Sequence, residues 1–496
     1  MGLYQGFDNR RYVESQSEKI LERIRNMGSK LYLEFGGKLF DDMHAARVLP
    51  GFESNAKVKI LQTLSDQAEI IFCIGAPDIE HNRIRGDSGL PYHIDVMRLI
   101  DRLRSLGLTI NSVVITQYSG QPSADIFRKK LELRGESTYV HTLTKGYPTD
   151  VDTIVSDEGY GQNPFIPTAR PLVVVTAPGA GSGKLGTCLS QMYHEYKNGV
   201  QAGYAKFETF PIWNIPLKHP VNLAYEAATA DLRDVNMIDP FHMEAYGETA
   251  VNYNRDIEVF PVLRTILQKI MGKSPYRSPT DMGVNMAGFF ITDDEAVRRA
   301  SGQEIIRRYF RAECEYKQGL ADIKTAKKVK LLMNELGLDV ENRTVVAPAL
   351  RKAEKEGVPA MALELRDGRI ITGKTTPQMK AAASAVINAI KELSGVSDDL
   401  HLIPPVVLDP ILKLLRDTLR GGSDARLGLE EALLALSLCV ATNPLVELAL
   451  SKLPLLAGCE AHSSVMLTRA DESIFHQFGM NLTCEPEYPT KDLYFV

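Results

Sequence analysis

The apolar residues of the first two hundred positions form short continuous runs that alternate with stretches of helical spacing. These runs predict strands over Lys30–Phe35, Glu69–Ile74, Asn111–Thr116 and Pro171–Thr176. A stripe of apolar residues at helical spacing between the second and third strands predicts a helix there. Continuous Val and Ile strands separated by helices usually pair in parallel through crossover connections. The pattern therefore predicts an α/β fold with a doubly wound, mostly parallel sheet.

The pattern changes further along the chain and indicates two domains. Residues 201–290 are rich in proline and aromatic side chains, which we interpret as an insertion within the first domain. Long helical stretches follow, and we expect the domain boundary near 325–340. We therefore predict an α/β domain over 1–330 and a mixed, helix-rich C-terminal α/β domain over 331–496.

In the C-terminal domain, helix starts are predicted where a capping residue precedes proline. This pairing satisfies free N–H groups of the first turn and places proline where its missing N–H costs nothing. It occurs at Thr376-Pro377, Asp409-Pro410 and Asn443-Pro444.

A literal phosphate-loop pattern, G-x-x-x-x-G-K-[ST], runs from Gly368 to Thr375. However, Asp367-Gly368 stands between two apolar runs, which is typical of a tight hairpin turn. The four residues that would wrap a phosphate are then part of a strand. We therefore predict an antiparallel hairpin at this position, although the helix expected after it offers N–H groups that can hold an anion.

A second segment, PGAGSGKLGT, fails that pattern but lies directly after the predicted strand Pro171–Thr176 and opens a helix. Glycines let successive backbone N–H groups turn toward one anion, the helix N-terminus adds partial positive charge, and a lysine reaches the outer phosphates. This P-loop-like turn predicts phosphate binding. The predicted binding residues are Gly179, Gly181, Ser182, Gly183, Lys184, Thr187 and, from a neighbouring loop, Lys38.

The segment departs from the phosphate-loop pattern at two positions, one of which normally ligates Mg²⁺. Pro178 stands where the first glycine belongs, and Leu185 stands where a hydroxyl normally ligates Mg²⁺. Thr187 and Ser182 are the candidate substitutes, although Thr187 lies two residues further on and leaves the helix in a different direction. ATP with Mg²⁺ is the expected cofactor, and the metal ligands stay unassigned. The alternative interpretation is a glycine-rich turn made only for close packing.

Ligands of open parallel sheets bind outside the carboxyl ends of the strands. That edge is predicted to gather Glu34–Lys38, Gly75–Asp78 and Gln117–Tyr118 around the loop. We expect Asp78 to hold Mg²⁺ directly or through water, and Lys38 to offset phosphate charge. A turn-forming aspartate and a solvated lysine are the alternatives.

The loop YRSPTDMGVN is dense in hydrogen-bonding side chains and offers Asp281 to a substrate. The alternative is a turn in which Asp281 only caps the backbone. Upstream, Asp239 and His242 belong to a group of polar residues from which an acid–base pair can be drawn. Spacing in sequence leaves open whether these residues meet.

Near the C-terminus, the segment GCEAHSS gathers Cys459, His462 and two hydroxyl groups. A Cys or Ser nucleophile activated by His462 is chemically reasonable. The alternative is a loop that leads into a strand.

Composition narrows the classes of function. Fifty-seven Lys and Arg residues against 62 Asp and Glu residues give a formal charge of −5, which lacks the basic excess of nucleic-acid-binding proteins. Six cysteines without a C-x-x-C pair indicate reduced thiols. The sequence shows neither a secretory leader nor an apolar run of membrane-spanning length, so we expect a cytoplasmic protein without a membrane partner. A homo-oligomer is expected on general frequency alone.

Several long segments resemble a bacterial family catalogued as a domain of unknown function. They are FDNRRY, LEFGGKLFDDMHAARVLPGF, APGAGSGKLGTCLSQMYHEY, YRSPTDMGVN, GCEAHSS and NLTCEP, and the resemblance spans the whole chain. It implies a bacterial cytoplasmic protein with a P-loop-like N-terminal α/β region and a distinct C-terminal domain. It implies no reaction and no catalytic residue.

The residues themselves predict an enzyme that binds ATP or another phosphorylated small molecule and transfers or hydrolyses a phosphoryl group. The predicted catalytic residues are Lys184, Asp78, Asp281 and His462. One alternative is a binding protein that responds to a nucleotide or metabolite without turnover. Another is a hydrolase or transferase that uses Cys459 and His462 on a phosphorylated substrate.

Overall fold

A computed structural model of the chain describes residues 5–85, 89–232, 234–419 and 425–490. The chain divides into two compact units, residues 2–301 and 302–496, called here the N-terminal and C-terminal units. The division lies within the helix Asp294–Lys317, upstream of the boundary expected from the sequence.

The N-terminal unit is built on one six-stranded sheet, with a small two-stranded sheet beside it. Its strands are β1 (Lys30–Phe35), β2 (Ala68–Gly75), β3 (Thr109–Thr116), β4 (Thr138–Val140), β5 (Leu172–Thr176), β6 (Ala202–Phe207), β7 (Asn236–Ile238) and β8 (Val251–Tyr253). Its helices are α1 (Asn9–Asn26), α2 (Met43–Val48), α3 (Ala56–Thr63), α4 (Ala76–Glu80), α5 (Tyr92–Ser105), α6 (Pro122–Glu132), α7 (Val151–Ile154), α8 (Lys184–Lys197), α9 (Pro220–Ala228), α10 (Pro240–Tyr246), α11 (Asn254–Met271) and α12 (Pro279–Met282).

The large sheet has the strand order β4-β3-β2-β5-β1-β6, and every pair is parallel. All residues of β2 and β5 are buried, as continuous apolar strands require when both faces of a sheet are covered. The predicted parallel α/β fold is confirmed, and each of the four predicted strands is present within two residues of its predicted ends. The short strand β4 and the edge strand β6 were not predicted.

The order of the strands determines which loops meet. Because β5 lies between β2 and β1, the turn after β5 is flanked by the turns that follow those two strands. Helices α8 and α11 pack on the face of the sheet that carries Tyr32, Cys73 and Val173. Helix α5 packs against β2 and β3. Strand β6, at the start of the segment interpreted as an insertion, belongs to the main sheet.

The C-terminal unit contains a four-stranded mixed sheet with helices. Its strands are β9 (Ala360–Glu364), β10 (Ile370–Lys374), β11 (Glu460–Ser463) and β12 (Asn481–Cys484), in the order β10-β9-β11-β12. Its helices are α13 (Asp294–Lys317, which begins in the N-terminal unit), α14 (Ile323–Glu335), α15 (Val346–Glu356), α16 (Ala381–Ser394), α17 (Pro405–Leu414), α18 (Leu429–Cys439), α19 (Pro444–Leu450) and α20 (Arg469–Gln477).

The hairpin predicted in place of a phosphate loop is confirmed. Strands β9 and β10 pair antiparallel, and Gly368 takes a positive φ of 86° in the turn between them. Of the three predicted helix starts, Asn443 is confirmed as the cap of α19. The other two are wrong, because α17 begins at Pro405 and α16 begins at Ala381.

Within the described ranges, the structure contains no helix that is both long and apolar enough to cross a lipid bilayer.

Candidate functional site

The glycine-rich turn connects the carboxyl end of β5 to the first residue of α8. Gly181 and Gly183 have φ angles of +78° and +77°, a region that strongly favours glycine, and Gly183 is the N-cap of α8. A Cβ on Gly183 would lie 2.8 Å from Thr116 Oγ1, and one on Gly179 would lie 2.3 Å from Tyr92 Oη. Three glycines are therefore needed for the backbone conformation and for close approach to neighbouring side chains.

The carbonyl oxygens of the turn accept hydrogen bonds from Thr116, the last residue of β3, and from Gln117, the residue after it. Thr116 Oγ1 donates to the Ser182 carbonyl at 2.9 Å, and Gln117 Nε2 donates to the Gly181 carbonyl at 2.8 Å. The Ser182 hydroxyl donates to the Gly179 carbonyl at 3.1 Å. In a trans peptide the N–H points away from the C=O. The N–H groups of Ala180, Ser182 and Gly183 follow these three carbonyls, so they point away from the side chains that hold the turn.

Lys184 occupies the first position of α8, where the backbone N–H groups have no acceptor within the helix. Its Nζ lies 3.8 Å from Glu34 Oε1, and the two side chains are 13% and 12% exposed. Glu34 Oε2 accepts a hydrogen bond from Tyr204 Oη at 2.8 Å. Because 3.8 Å is too long for a hydrogen bond, the pair with Glu34 leaves the Lys184 ammonium donors available to an anion.

The hydroxyl groups near the turn occupy different environments. Thr187 is buried, and its Oγ1 accepts a hydrogen bond from Cys73 Sγ at 3.4 Å. Burial raises the pKa of the Cys73 thiol to about 12, which keeps it protonated and able to donate. The Ser182 hydroxyl points back into the turn. Thr176, the last residue of β5, is fully buried, and its hydroxyl has no hydrogen-bond partner.

The predicted carboxyl-edge residues do follow neighbouring strands of the sheet. Asp78 lies in α4, directly after β2, and pairs with Arg83 at 3.1 Å. The Arg83 guanidinium lies 5.1 Å from the centre of the Tyr92 ring, the same ring that approaches Gly179. Lys38 is half-buried, three residues beyond the end of β1. Asp78 is thus connected to the glycine turn through Arg83 and Tyr92.

A group of charged residues that sequence reasoning missed lies at the ends of β1 and β6. Lys206 of β6 is adjacent to Glu34 of β1 in the strand register. Its ammonium lies 2.5 Å from Asp256 Oδ2 and 3.2 Å from Glu208 Oε1. Burial alone lowers the pKa of Lys206, but Asp256, Glu208 and Glu34 together outweigh burial and raise it. The only signal in the sequence was the alternation of Tyr204, Lys206 and Glu208, which indicates a strand with one polar face.

Burial also perturbs a carboxyl in this group. It raises the pKa of Glu208 to about 6, an effect that Lys206 opposes and that Asp256 and Glu34 strengthen. A carboxyl with a pKa near neutrality can exchange protons at physiological pH.

A second buried pair lies beneath the Gly36-Gly37 turn that follows β1. Lys57 is 2% exposed, and its Nζ donates to Asp42 Oδ2 at 3.0 Å and to the Gly36 carbonyl at 3.3 Å. A Cβ on Gly37 would lie 2.8 Å from the same ammonium. Glycine is therefore needed at position 37 for the close approach of Lys57.

The loop around Asp281 meets the segment around His242. Asp281 Oδ2 accepts from the backbone N–H of Ser278 at 3.1 Å and from Tyr246 Oη at 2.9 Å. His242 Nδ1 lies 3.0 Å from Ser278 Oγ and 3.8 Å from Asp281 Oδ1. Asp239 caps α10 and also accepts from the Thr280 hydroxyl, which lies in the same loop. The structure thus brings these residues together, with Asp281 in a capping role. A catalytic role for Asp281 stays a prediction.

The structure separates the thiol and the imidazole proposed in the C-terminal unit. Cys459 is in the apolar core with Ala461, whereas alternation along β11 places His462 on the opposite face. His462 lies 2.9 Å from Thr483 Oγ1 and 3.2 Å from Glu485 Oε1, and it is fully buried. Burial lowers the pKa of His462 and raises that of Cys459. His462 therefore has structural partners and does not contact Cys459.

No cluster of three or more His, Cys, Asp or Glu residues suited to a metal ion is present in the part of the chain that the structure describes.

Comparison with known proteins gives a consistent family assignment. The N-terminal domain described as "Domain of unknown function DUF1846" matches residues 5–337, and the corresponding C-terminal domain matches residues 341–494. The chain is 57% identical over 499 aligned positions to the UPF0371 protein of Clostridium tetani (strain Massachusetts / E88), with 99% of each chain covered. The UPF0371 proteins of Clostridium botulinum strains Loch Maree and Alaska E43 show the same identity and coverage. Because these matches extend over both domains, the chain belongs to the DUF1846 family.

Proposed function

We propose that the N-terminal unit binds ATP or another phosphorylated ligand at the turn from Gly179 to Lys184 and catalyses phosphoryl transfer or hydrolysis. The observation that supports this function is a parallel strand, a glycine turn and a helix in succession, with Lys184 at the first helical position. Backbone N–H groups and the partial charge of the α8 N-terminus bind phosphate oxygens. Lys184 stabilises the negative charge of the outer phosphates.

The surroundings of the turn favour a bound anion over a purely structural turn. The carbonyl oxygens that would repel an anion are held by Thr116 and Gln117. Among the described ion pairs, Glu34 is the one carboxylate beside Lys184. Its Oε1 lies 3.8 Å from the Lys184 ammonium, which is beyond hydrogen-bond distance. A phosphate at the turn therefore gains an ammonium partner without breaking a short ion pair.

Calorimetric titration with ATP, with and without Mg²⁺, tests this function. Lys184→Ala should weaken binding at least tenfold, which corresponds to about 1.4 kcal/mol. The matched control is Lys197→Ala at the opposite end of α8, where the ammonium is half-exposed and pairs with Asp157. That control should bind ATP like the unaltered protein. Absence of ATP binding by the unaltered protein, or equal binding by Lys184→Ala, contradicts the proposal.

One observation favours a second function, a nucleotide-responsive binding protein without turnover. Leu185 occupies the position where a hydroxyl would ligate Mg²⁺, and the nearby Thr187 hydroxyl is engaged by Cys73. Without a metal to bridge the outer phosphates, bound ATP would stay intact. ATP-dependent release of inorganic phosphate that Lys184→Ala abolishes would eliminate this second function.

A further inference from the structure

A row of charged side chains extends from the glycine turn to the edge of the sheet. Lys184 of α8 faces Glu34, which neighbours Lys206 in the register of β1 and β6. Lys206 in turn contacts Glu208, the first residue after β6. The row therefore connects the proposed phosphate site to a carboxyl group that lies just beyond the end of the edge strand.

Glu208 lies against the end of β1 because Gly36 has no side chain. A Cβ on Gly36 would lie 2.5 Å from Glu208 Cγ and 2.6 Å from Oε1. The Glu208 side chain is 23% exposed, so its carboxyl has some contact with solvent. Because Gly36 has no side chain, the Glu208 side chain lies at the C-terminal end of β1. Strand β1 neighbours β5, the strand that precedes the glycine turn.

The three carboxylates of the row differ in how firmly each is held. Glu34 accepts a hydrogen bond from Tyr204 at 2.8 Å. Asp256 lies 2.5 Å from the Lys206 ammonium, whereas Glu208 lies 3.2 Å from the same ammonium. Burial raises the pKa of the Glu208 carboxyl, so this group accepts a proton more readily than an exposed glutamate does.

We propose that Glu208 is the general base that deprotonates the attacking water in hydrolysis of a nucleoside triphosphate at this site, an inference that rests on the nucleotide binding proposed above. The nucleophilic oxygen forms a bond to the terminal phosphorus of a nucleoside triphosphate, and the bond from that phosphorus to its bridging oxygen breaks. The electron pair of the broken bond stays on the nucleoside diphosphate, and the proton of the nucleophile passes to Glu208. With water as nucleophile, the second product is inorganic phosphate.

The protonation behaviour of Glu208 suits this role. Its pKa of about 6 leaves it mostly ionised at neutral pH and able to accept a proton. The base is lost as the pH falls through about 6, so turnover should fall with it. The charged and titratable groups that act on Glu208 are Lys206, Asp256, Glu34, Arg255, Tyr225 and Tyr253.

The test compares release of inorganic phosphate from ATP by the unaltered full-length protein and by Glu208→Gln, across the pH range in which both stay folded. Glutamine keeps the shape and removes the base, so kcat should fall about 100-fold or more while ATP affinity changes little. The decrease in kcat near pH 6 should disappear. Glu208→Asp keeps a carboxylate on a shorter side chain, and it should retain the acid limb with a smaller loss of kcat.

The matched control is Glu248→Gln, which neutralises an exposed glutamate of the same unit and should leave kcat and the pH profile unchanged. Glu208→Gln with the unaltered kcat and acid limb would overturn the role of Glu208. ATP binding by the unaltered protein without any phosphate release would overturn it as well. A failure of the unaltered protein to bind ATP would instead overturn the proposed function itself.

Discussion

Gly183→Ala should destabilise the N-terminal unit through two separable effects. Gly183 has a φ of +77°, where a residue with a Cβ costs about 1–2 kcal/mol relative to glycine. The new Cβ would also lie 2.8 Å from Cβ and Oγ1 of Thr116, which is buried and bonded to the same turn. Overpacking of this kind costs about 1–3 kcal/mol, so the total should be about 2–5 kcal/mol.

Gly181→Ala separates the two effects. Gly181 has a nearly identical φ of +78°, but no atom lies within 4 Å of the position of its Cβ. The free energy of unfolding of this variant should fall only by the cost of the positive φ, about 1–2 kcal/mol. The difference between Gly183→Ala and Gly181→Ala, about 1–3 kcal/mol, therefore measures the contact with Thr116.

Urea denaturation followed by tryptophan fluorescence is a suitable assay, because Trp213 is the single tryptophan of the chain and lies in the N-terminal unit. Its signal reports on this unit even when the other unit unfolds separately. In a Thr116→Ala background, the two glycine variants should become more alike, because two of the three crowded Thr116 atoms are removed. Equal losses of stability for both glycine variants in the unaltered background would refute the explanation from close packing.

Two further predictions concern buried charges. Arg343→Met should destabilise the C-terminal unit by at least about 2 kcal/mol, because Arg343 is nearly fully buried and donates to Glu460 and to the carbonyl oxygens of Ala461 and Asn481. Hydrogen exchange of β11 and β12 measures this loss, and unchanged protection would contradict it. Burial raises the pKa of Asp42, but Lys57, His44 and the Ala45 N–H together lower it by more, so the net shift is downward. The stability gained from this pair should be present above about pH 4 and be lost as the pH falls through the folded-state pKa. In Asp42→Asn, the free energy of unfolding followed by Trp213 fluorescence should therefore fall less steeply at acidic pH. An unchanged pH dependence would contradict a stabilising role for the Asp42–Lys57 pair.

Local sequence determined the central strands and the glycine turn. The runs that became β1, β2, β3 and β5 are mostly apolar, so they favour strands in a sheet that is covered by helices. Asp367-Gly368 likewise determined a hairpin, because a tight turn between two apolar runs depends only on neighbouring residues. These features were predictable because their causes lie within a few residues of each other.

The errors in helix starts show where local rules stop. At Thr376 the expected capping hydroxyl does accept from the next N–H groups, at Gln378 and Met379. Met379 then forms a β-bridge with Leu427, a residue distant in sequence, and the helix begins only at Ala381. The long-range bridge overrides the local signal.

The composition of the candidate site was decided by the tertiary structure. Glu34 and Lys184 were visible in the sequence, but the order of strands places β1 between β5 and β6 and so adds Lys206 and Glu208. Strand β6 is only six residues long, and it mixes small, aromatic and charged side chains. No local pattern encodes which parallel strand becomes its neighbour, because that choice depends on packing among segments far apart in the chain. The sequence therefore determined a glycine turn between a strand and a helix, and only the fold determined which charged groups lie on the neighbouring strands.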